Sequence, residues 1–469
     1  MMKRKFKVPH TLVILFSMVV LAQVLTYVIP AGSFDRVENA DGRLQVVPGS
    51  FHLTPETPAL SPFASLTAIP KGFSGAHEII FFVFIIGGAF AVLRATGAVD
   101  AGMGALLRRW GDRPFWLVAG GTTLFAIGSS TIGFGEEYFP FVPVLISMSL
   151  ALGYDRLTAI GIVMVGYGTG FGAATINPFT VMIAQDIAGL QPASGLWYRL
   201  ILTVIFVSIG VHHVWSYAKK VGRDPAASLM ADVDVPDGAS ILSGGRAEAM
   251  TDHPPTTTTH KLILAFVGIA MFLLVYGLSQ WDWYLDELQG VFVALTLIIA
   301  IVARMSPDRV AVEFGVGASS LTSVALLIGV ARGIQVVLDE GGVVDTMVYG
   351  FSVPLQELPG ALSAVGMFFV QSLANFFIPS GSGQAFVTMP IMAPLADLVG
   401  VSRQVAVLAF QFGDGFSNIL IPTQYVLLGA LAMGGVPYDR WLRFILPFMV
   451  KVAIVGSIAL TVAVLIGYV

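Results

Sequence analysis

Three acidic residues set in apolar surroundings are the chemically sharpest feature of this sequence: Glu136 and Glu137 at the end of a polar, glycine-rich stretch, and Asp414 within Gly413-Asp-Gly-Phe-Ser-Asn-Ile-Leu-Ile-Pro-Thr-Gln424. A carboxylate at mid-membrane is expensive and usually pairs with an ion, a proton or a cationic group. The Asp414 stretch has a counterpart in Gly168-Thr-Gly-Phe-Gly-Ala-Ala-Thr-Ile-Asn-Pro-Phe-Thr180. Each interrupts a long apolar run with glycines, a proline and small polar residues. Backbone that gives up its helical hydrogen bonds at membrane depth persists only where it is buried in protein or lines a cavity, so two breaks at matching places predict one shared site. Half-helices that start there aim unpaired N–H groups, and about half a positive charge, at the cavity, which suits a carboxylate; unwound carbonyls and hydroxyls suit Na⁺.

This chemistry makes Ser130, Thr131, Glu136, Glu137, Asn177, Thr180, Ser380, Ser382, Asp414, Asn418 and Thr423 the candidate substrate contacts. Thr175, Asn177, Ser417 and Asn418 are the candidate contacts to a coupling Na⁺. Structural alternatives stand beside these: Asn177-Pro178 as a kink capped by its own side chain, one glutamate as a helix cap, or an acid paired with Arg332 or Lys451. Three acids around half-helix ends that already accept a carboxylate match an amino acid, a basic one above all. A four-carbon dicarboxylate or short-chain carboxylate, which should want Arg or Lys at the tips, is the alternative. No cofactor beyond a coupling Na⁺ is implied.

Composition sets the class that must position these residues. The chain has 469 residues, 56% hydrophobic and 12% charged, with a mean hydropathy of +0.82, and its apolar runs reach spanning length. This is the pattern of an all-α polytopic membrane protein, with the bilayer and a small solute as its partners. A net charge of −4 argues against nucleic acid, and zero cysteines exclude disulfides, thiolate metal sites and a cysteine nucleophile. No nucleophile and base pair or metal cluster supports an enzyme, and a channel would need a continuous polar pore.

In chain order, Leu12–Ile29 is a retained first helix behind the basic Met1–Lys7, and residues 33–60 form a small external β-hairpin turning at Asn39–Gly42. Residues 1–60 thus form one unit. Residues 61–221 follow as a first repeat: an interfacial Pro62–Phe73, a span at Ile79–Ala95, an interfacial helix over 98–113, a hairpin over 115–152, a broken helix over 157–188 and a span at Trp197–Ser216. A hydrophilic cytoplasmic linker, 222–260, leads to scaffold helices in 261–305 at Leu262–Leu278 and Val291–Ala303. Residues 306–469 form the second repeat: Val324–Leu338, a hairpin over 358–398, a broken helix over 404–433, and Trp441–Ile466. The count is about nine spans and two re-entrant hairpins. If 115–127 crossed fully, Arg108 and Arg109 would fall on the side opposite Lys219, Lys220 and Arg223, against the positive-inside tendency; the hairpin keeps them together and gives an N-inside, C-outside chain.

An internal repeat is visible. Ser61-Pro62 recurs as Ser306-Pro307, Gly88 as Gly333, Leu93 as Leu338 and Gly97-Ala-Val-Asp100 as Gly342-Val-Val-Asp345, all at one interval. At an interval two residues wider, Phe139 matches Phe386, Pro143 Pro390, Arg156 Arg403, Gly166 Gly413 and Gly168 Gly415. An odd number of crossings between the units inverts the second, as in alternating-access transporters.

The segments Pro30-Ala-Gly-Ser-Phe34, Gly133-Phe-Gly-Glu-Glu137, Thr175-Ile-Asn-Pro178 and Ser417-Asn-Ile-Leu-Ile-Pro-Thr423 resemble those of the YfcC-type carriers. These are grouped with the anaerobic four-carbon-dicarboxylate uptake carriers and basic amino acid antiporters of the ion transporter superfamily. The resemblance covers nearly the whole chain. It implies a secondary transporter of a bacterial inner membrane, with paired hairpins and broken helices in a transport core, a scaffold that dimerises, and elevator-like alternating access driven by Na⁺, H⁺ or a counter-substrate. Well-studied relatives carry Ser-Asn-Thr at each hairpin tip. Here the tips read Ser129-Ser-Thr131 and Pro379-Ser-Gly-Ser-Gly383, so substrate and coupling ion do not carry over.

Overall fold

The computed structural model describes residues 11–38, 44–55, 57, 59–99, 101–102, 105, 113–191, 193–233, 256–281, 283 and 285–469. The turn expected at 39–42, most of the interfacial helix expected over 98–113 and most of the 222–260 linker lie outside the described residues. Among the described residues are eighteen α-helices and two short antiparallel ladders. Six helices among the described residues are long and apolar enough to cross a membrane: His77–Ala95, Leu196–Arg223, Leu285–Val302, Thr322–Glu340, Gly360–Phe377 and Tyr438–Leu465.

The first group of elements comprises α1 (Thr11–Val28), α2 (Ala64–Gly75) and α3 (His77–Ala95). The first hairpin region comprises α4 (Pro114–Thr131) and α5 (Phe141–Ala151), joined through a short 3₁₀ turn at Glu136–Tyr138. The run after it is broken, with α6 (Arg156–Gly172) and α7 (Val181–Ile187) separated by irregular backbone, before the long α8 (Leu196–Arg223). Helices α9 (Thr258–Gln280), α10 (Leu285–Val302), α11 (Pro307–Ser320), α12 (Thr322–Glu340) and α13 (Val344–Ser352) follow. The chain ends with α14 (Gly360–Phe377), α15 (Gly381–Leu398), a second interrupted pair α16 (Arg403–Ser417) and α17 (Tyr425–Gly434), and α18 (Tyr438–Leu465). Length separates these helices physically. The 11 residues of α5 and 10 of α17 rise only about 17 and 15 Å, roughly half the hydrocarbon thickness.

Packing divides the helices into two neighbourhoods. In one, α2 lies on α12 and α11 on α3. Gly72 meets the Gly329 and Gly333 backbones and Gly317 meets Gly87, leaving no room for a methyl group at either position. Helix α1 joins this layer by packing on α12. Its buried Gln23 accepts a hydrogen bond from Ser65 N (2.8 Å) and donates to Ser61 O (2.9 Å), supplying the acceptor that α2 lacks from its own N-cap residue. In the other neighbourhood, α4 and α5 pack on α6, and α14 and α15 on α16. Gly166 closes on the Thr122 carbonyl and Gly413 on the Phe368 carbonyl, while Gly415 meets the backbone of Gly172 where the two broken helices cross.

Several boundaries shift for local reasons. Helix α8 continues past Ser216 to Arg223, because Lys220 and Arg223 in its last turn complement the negative end of the helix dipole. Helix α10 starts early, with Asp286 and Glu287 in its first turn. Helix α11, which the apolar runs did not announce, opens on the Ser306 cap to Arg309 N with Pro307 at its first position. The polar segment after α1 forms nested ladders, Arg36–Glu38 against Leu44–Val46 and Gly32–Ser33 against His52–Leu53. They dock on α13, where the Asp345 carboxylate accepts from Phe34 N (3.0 Å) and pairs with Arg36 (2.8 Å), and Phe51 stacks on Tyr349.

The glycine crossings set a stability test. Gly72→Val and Gly317→Val should each destabilise the protein by about 1–3 kcal/mol through overpacking, read as a lower melting temperature in detergent. Gly290→Ala, which meets open space in α10, should not lower it.

Candidate functional site

A cavity of about 400 Å³ lies where the two helix breaks, the two hairpin tips and the α3–α12 layer converge. Glu136 and Glu137 enter from the first tip, Ser380 and Ser382 from the second, Thr180 from the first break, and Asn418 and Thr423 from the second. The opposite wall is His77 and Glu78 at the start of α3 and Arg332 in α12. Tyr167, Phe171, Phe179, Gln424 and Tyr425 complete the aromatic and polar lining.

The first break is held by the first tip. Thr175 N donates to Ser130 Oγ (3.0 Å), Thr175 Oγ1 to Ser130 O (3.2 Å), and Asn177 Nδ2 to Ser129 O (3.0 Å). The Asn177 Oδ1 then accepts from Phe179 N (2.9 Å), restoring local backbone satisfaction beside Pro178. From behind, the buried Arg199 of α8 donates to Thr175 O (3.2 Å), Gln404 Oε1 (3.1 Å) and the Tyr468 hydroxyl (3.2 Å), and also to Ser194 O. Ser130, Thr175 and Asn177 therefore knit tip to break, and none of them lines the cavity. Thr131 turns back on its own helix, donating to Ile127 O (2.7 Å).

The second break has a different clasp. Asn375, in the last turn of α14, directs Nδ2 at Asp414 O (2.9 Å), Ser417 Oγ (2.7 Å) and Asn418 Oδ1 (2.7 Å). Gln424 Nε2 also donates to Asn418 Oδ1 (2.8 Å). Ser380 caps α15, accepting from Gly383 N (3.3 Å). Ser417 lies in this clasp, away from the cavity wall.

The three acids have separate surroundings. Glu137 folds back onto its own turn, its carboxylate accepting from Gly135 N (2.7 Å), which is a capping contact. Glu136 reaches across to the second break, accepting from the Tyr425 hydroxyl (3.2 Å). Asp414 is fully buried in α16 and is absent from the cavity lining; Thr180 and Gly381 stand in front of it, and a Cβ built on Gly381 would lie 3.2 Å from Asp414 Oδ2. Arg332 faces the cavity while donating to Gln335 Oε1 (2.6 Å). Lys451 is exposed on α18 and is absent from the cavity lining.

Sequence reasoning missed the α3 contribution of His77 and Glu78, together with Gln424 and Tyr425. The available signal at α3 was two polar residues directly after Ser74-Gly75-Ala76, where α2 gives way to α3.

The family model described as DcuC, C4-dicarboxylate anaerobic carrier, matches residues 8–465. The Escherichia coli protein named "Putative basic amino acid antiporter YfcC" is 32% identical over 503 aligned residues, covering 99% of this chain and 98% of that one. A Haemophilus influenzae protein is 31% identical over 507 residues, with 98% of each chain covered. Among solved structures, the Alcanivorax borkumensis YdaH transporter aligns over 98% of this chain and 99% of its own at 15% identity, with a TM-score of 0.44. Matched by the family model over nearly its whole length, this multi-pass membrane protein belongs to the C4-dicarboxylate anaerobic carrier family of transporters.

Proposed function

We propose that this protein is a secondary transporter of amino acids, with basic amino acids preferred, working by elevator-like alternating access. The observation that carries the substrate reading is the mixed polarity of the cavity. Glu136, Glu137 and Glu78 offer negative charge, while the N-terminus of α15 beside Ser380 and Ser382, and the Arg332 guanidinium, offer positive charge. A zwitterion needs both, and the first-tip acids add a place for a second ammonium or a guanidinium. The name of the Escherichia coli relative agrees with this reading. Arg332 also favours a second reading, a dicarboxylate bridging the guanidinium and the α15 N-terminus, in keeping with the family description.

The mechanism fits an inverted duplication, a reading that the helix layout supports. Helix α3 begins and ends at the positions that, one constant interval later, begin and end α12, each with 19 residues. The reciprocal packing of α2 on α12 and α11 on α3 follows from such a two-fold relation. The α1–α3 and α10–α12 layer then serves as scaffold, and the tips and breaks as the moving core. The first-tip helix α5 packs on α17 and the second-tip helix α15 on α7, so the two halves of the core are coupled by crossed contacts.

Orientation and substrate are tested separately. Single cysteines at Ser228 and Ser240 of this cysteine-free chain should react with impermeant maleimide only from the cytoplasm, and one at Asp286 only from outside; external labelling of Ser228 would invert the assignment. For substrate, thermal stabilisation of the purified protein by L-arginine, L-lysine, succinate and butyrate should rank the two amino acids first. Glu136→Gln should weaken their binding by about 2–5 kcal/mol, the loss when one partner of a buried charge pair is removed. Glu137→Gln keeps the capping oxygen and should change affinity less. Stabilisation by succinate alone, lost in Arg332→Gln, would establish the dicarboxylate reading instead.

A further inference from the structure

Five buried oxygens around the second helix break have no hydrogen-bond partner among the described residues: both carboxylate oxygens of Asp414, Gln411 Oε1, Asn375 Oδ1 and the Thr180 hydroxyl. All four residues are 0% exposed. Burying an acceptor without a partner is costly, and an ionised carboxylate more so, until something cationic meets it. Other buried acids are satisfied: Asp155 accepts from Thr158 N and Oγ1, the Tyr217 hydroxyl and Ser228 Oγ, and Asp345 pairs with Arg36.

The fold brings these oxygens together from several elements. Gln411 and Asp414 stand one turn apart on the same face of α16. Gln411 Nε2 donates to Phe171 O near the end of α6, and Asn375 Nδ2 donates to Asp414 O (2.9 Å) from the last turn of α14. Both amides are thus held by their nitrogens, and each is left with its oxygen. Thr180 stands just before α7, and Gly381 opens α15. A Cβ built on Gly381 would lie 2.6 Å from Thr180 Cγ2, 3.2 Å from Asp414 Oδ2 and 3.5 Å from a ring carbon of Phe171. Glycine at this position keeps a small space open between the first break and the Asp414 carboxylate. Of the four oxygen-bearing residues, Thr180 alone lines the solute cavity, so Asp414, Gln411 and Asn375 lie behind its wall.

An occupant of that space has to be small, positive and bound by oxygen. Carboxylate, amide and hydroxyl oxygens are the ligands of a hard cation, and one carboxylate among neutral oxygens balances a single positive charge, short of the carboxylate-rich cages that hold Ca²⁺. The first break offers less. Ser130, Thr175 and Asn177 bond one another and the first tip, and the Arg199 guanidinium on the Thr175 carbonyl repels a cation. We propose that Asp414, Gln411, Asn375 and Thr180 hold a Na⁺ ion behind the cavity wall, in the space that Gly381 leaves open. The ligands come from both breaks and the second tip, so the bound ion ties the Thr180–Gly381 wall, on which a solute rests, to α16. Coupling of the ion to a solute rests on the transport reading above; the ion site itself does not.

Two measurements separate them. The first follows melting of the purified full-length protein in detergent as NaCl replaces choline chloride at constant ionic strength. The melting temperature should rise saturably with Na⁺ and not with K⁺. This rise should vanish in Asp414→Asn and in Gly381→Ala, whose methyl group fills the space, and persist in Gly290→Ala. Monodisperse elution and a cooperative melt in choline chloride establish that the variants are folded. The second measures L-arginine binding, which should be about tenfold tighter in NaCl than in choline chloride for the wild-type protein and equal in the two salts for Asp414→Asn. No rise with Na⁺, an equal rise with K⁺, or a rise kept by Asp414→Asn each overturns the site. Should the rise behave as stated while L-arginine binds no better in NaCl, the Na⁺ site stands and its coupling to that solute fails.

Discussion

The structure depends on the place where the two broken helices meet. Gly415 lies on the backbone of Gly172, so α6 and α16 approach with no side chain between them just before each loses its helical hydrogen bonds. That closeness brings two unwound segments to one depth, and each must find partners for its freed backbone groups inside the protein. The hairpin tips supply them. Ser129 and Ser130 serve the first break and Asn375 the second, so a tip cannot withdraw from its break without stranding buried polar groups. Tip and break are therefore tied together by buried hydrogen bonds, as the alternating-access reading proposed above needs of a core.

The two blocks are not chemically equivalent, although they resemble one another in layout. The first is backed by the guanidinium of Arg199, anchored on Gln404 and the C-terminal Tyr468. The second is held by a neutral amide, leaving Asp414 without a donor. A guanidinium thus stands behind one break and a carboxylate without a partner among the described residues beside the other. The first break is fastened by a guanidinium and the second by an amide alone.

Much of this was legible in the sequence because the costs involved are local. Glycines and prolines inside apolar runs mark positions where a helix cannot continue at low cost, and the irregular backbone after Gly172 and after Ser417 falls within the marked stretches. Which way a side chain points from irregular backbone is a different matter. Thr175 and Asn177 turn toward the tip while Thr180, a few residues on, faces the cavity; no periodicity applies across a break. The wall formed by His77, Glu78 and Arg332 was hidden for another reason. It exists because Gly72 and Gly317 let α2 and α11 settle onto distant helices, contacts between residues far apart in the chain.

That wall gives the cavity a second set of charged side chains, on the layer opposite the tips. Glu136 and Glu137 stand on the first tip, whereas Arg332 and Glu78 belong to the opposite layer, so under the alternating-access reading proposed above a solute held by both sets would bridge two bodies that move past one another. A solute bound by the core alone could travel freely; one bound equally to the scaffold would lock the carrier. The scaffold contacts must therefore be the weaker. The Arg332 guanidinium is already engaged by Gln335, and Glu136 is oriented by Tyr425 of the core itself. In that reading the tips and breaks hold the contacts that travel with the solute, and the charges of the opposite layer stay behind.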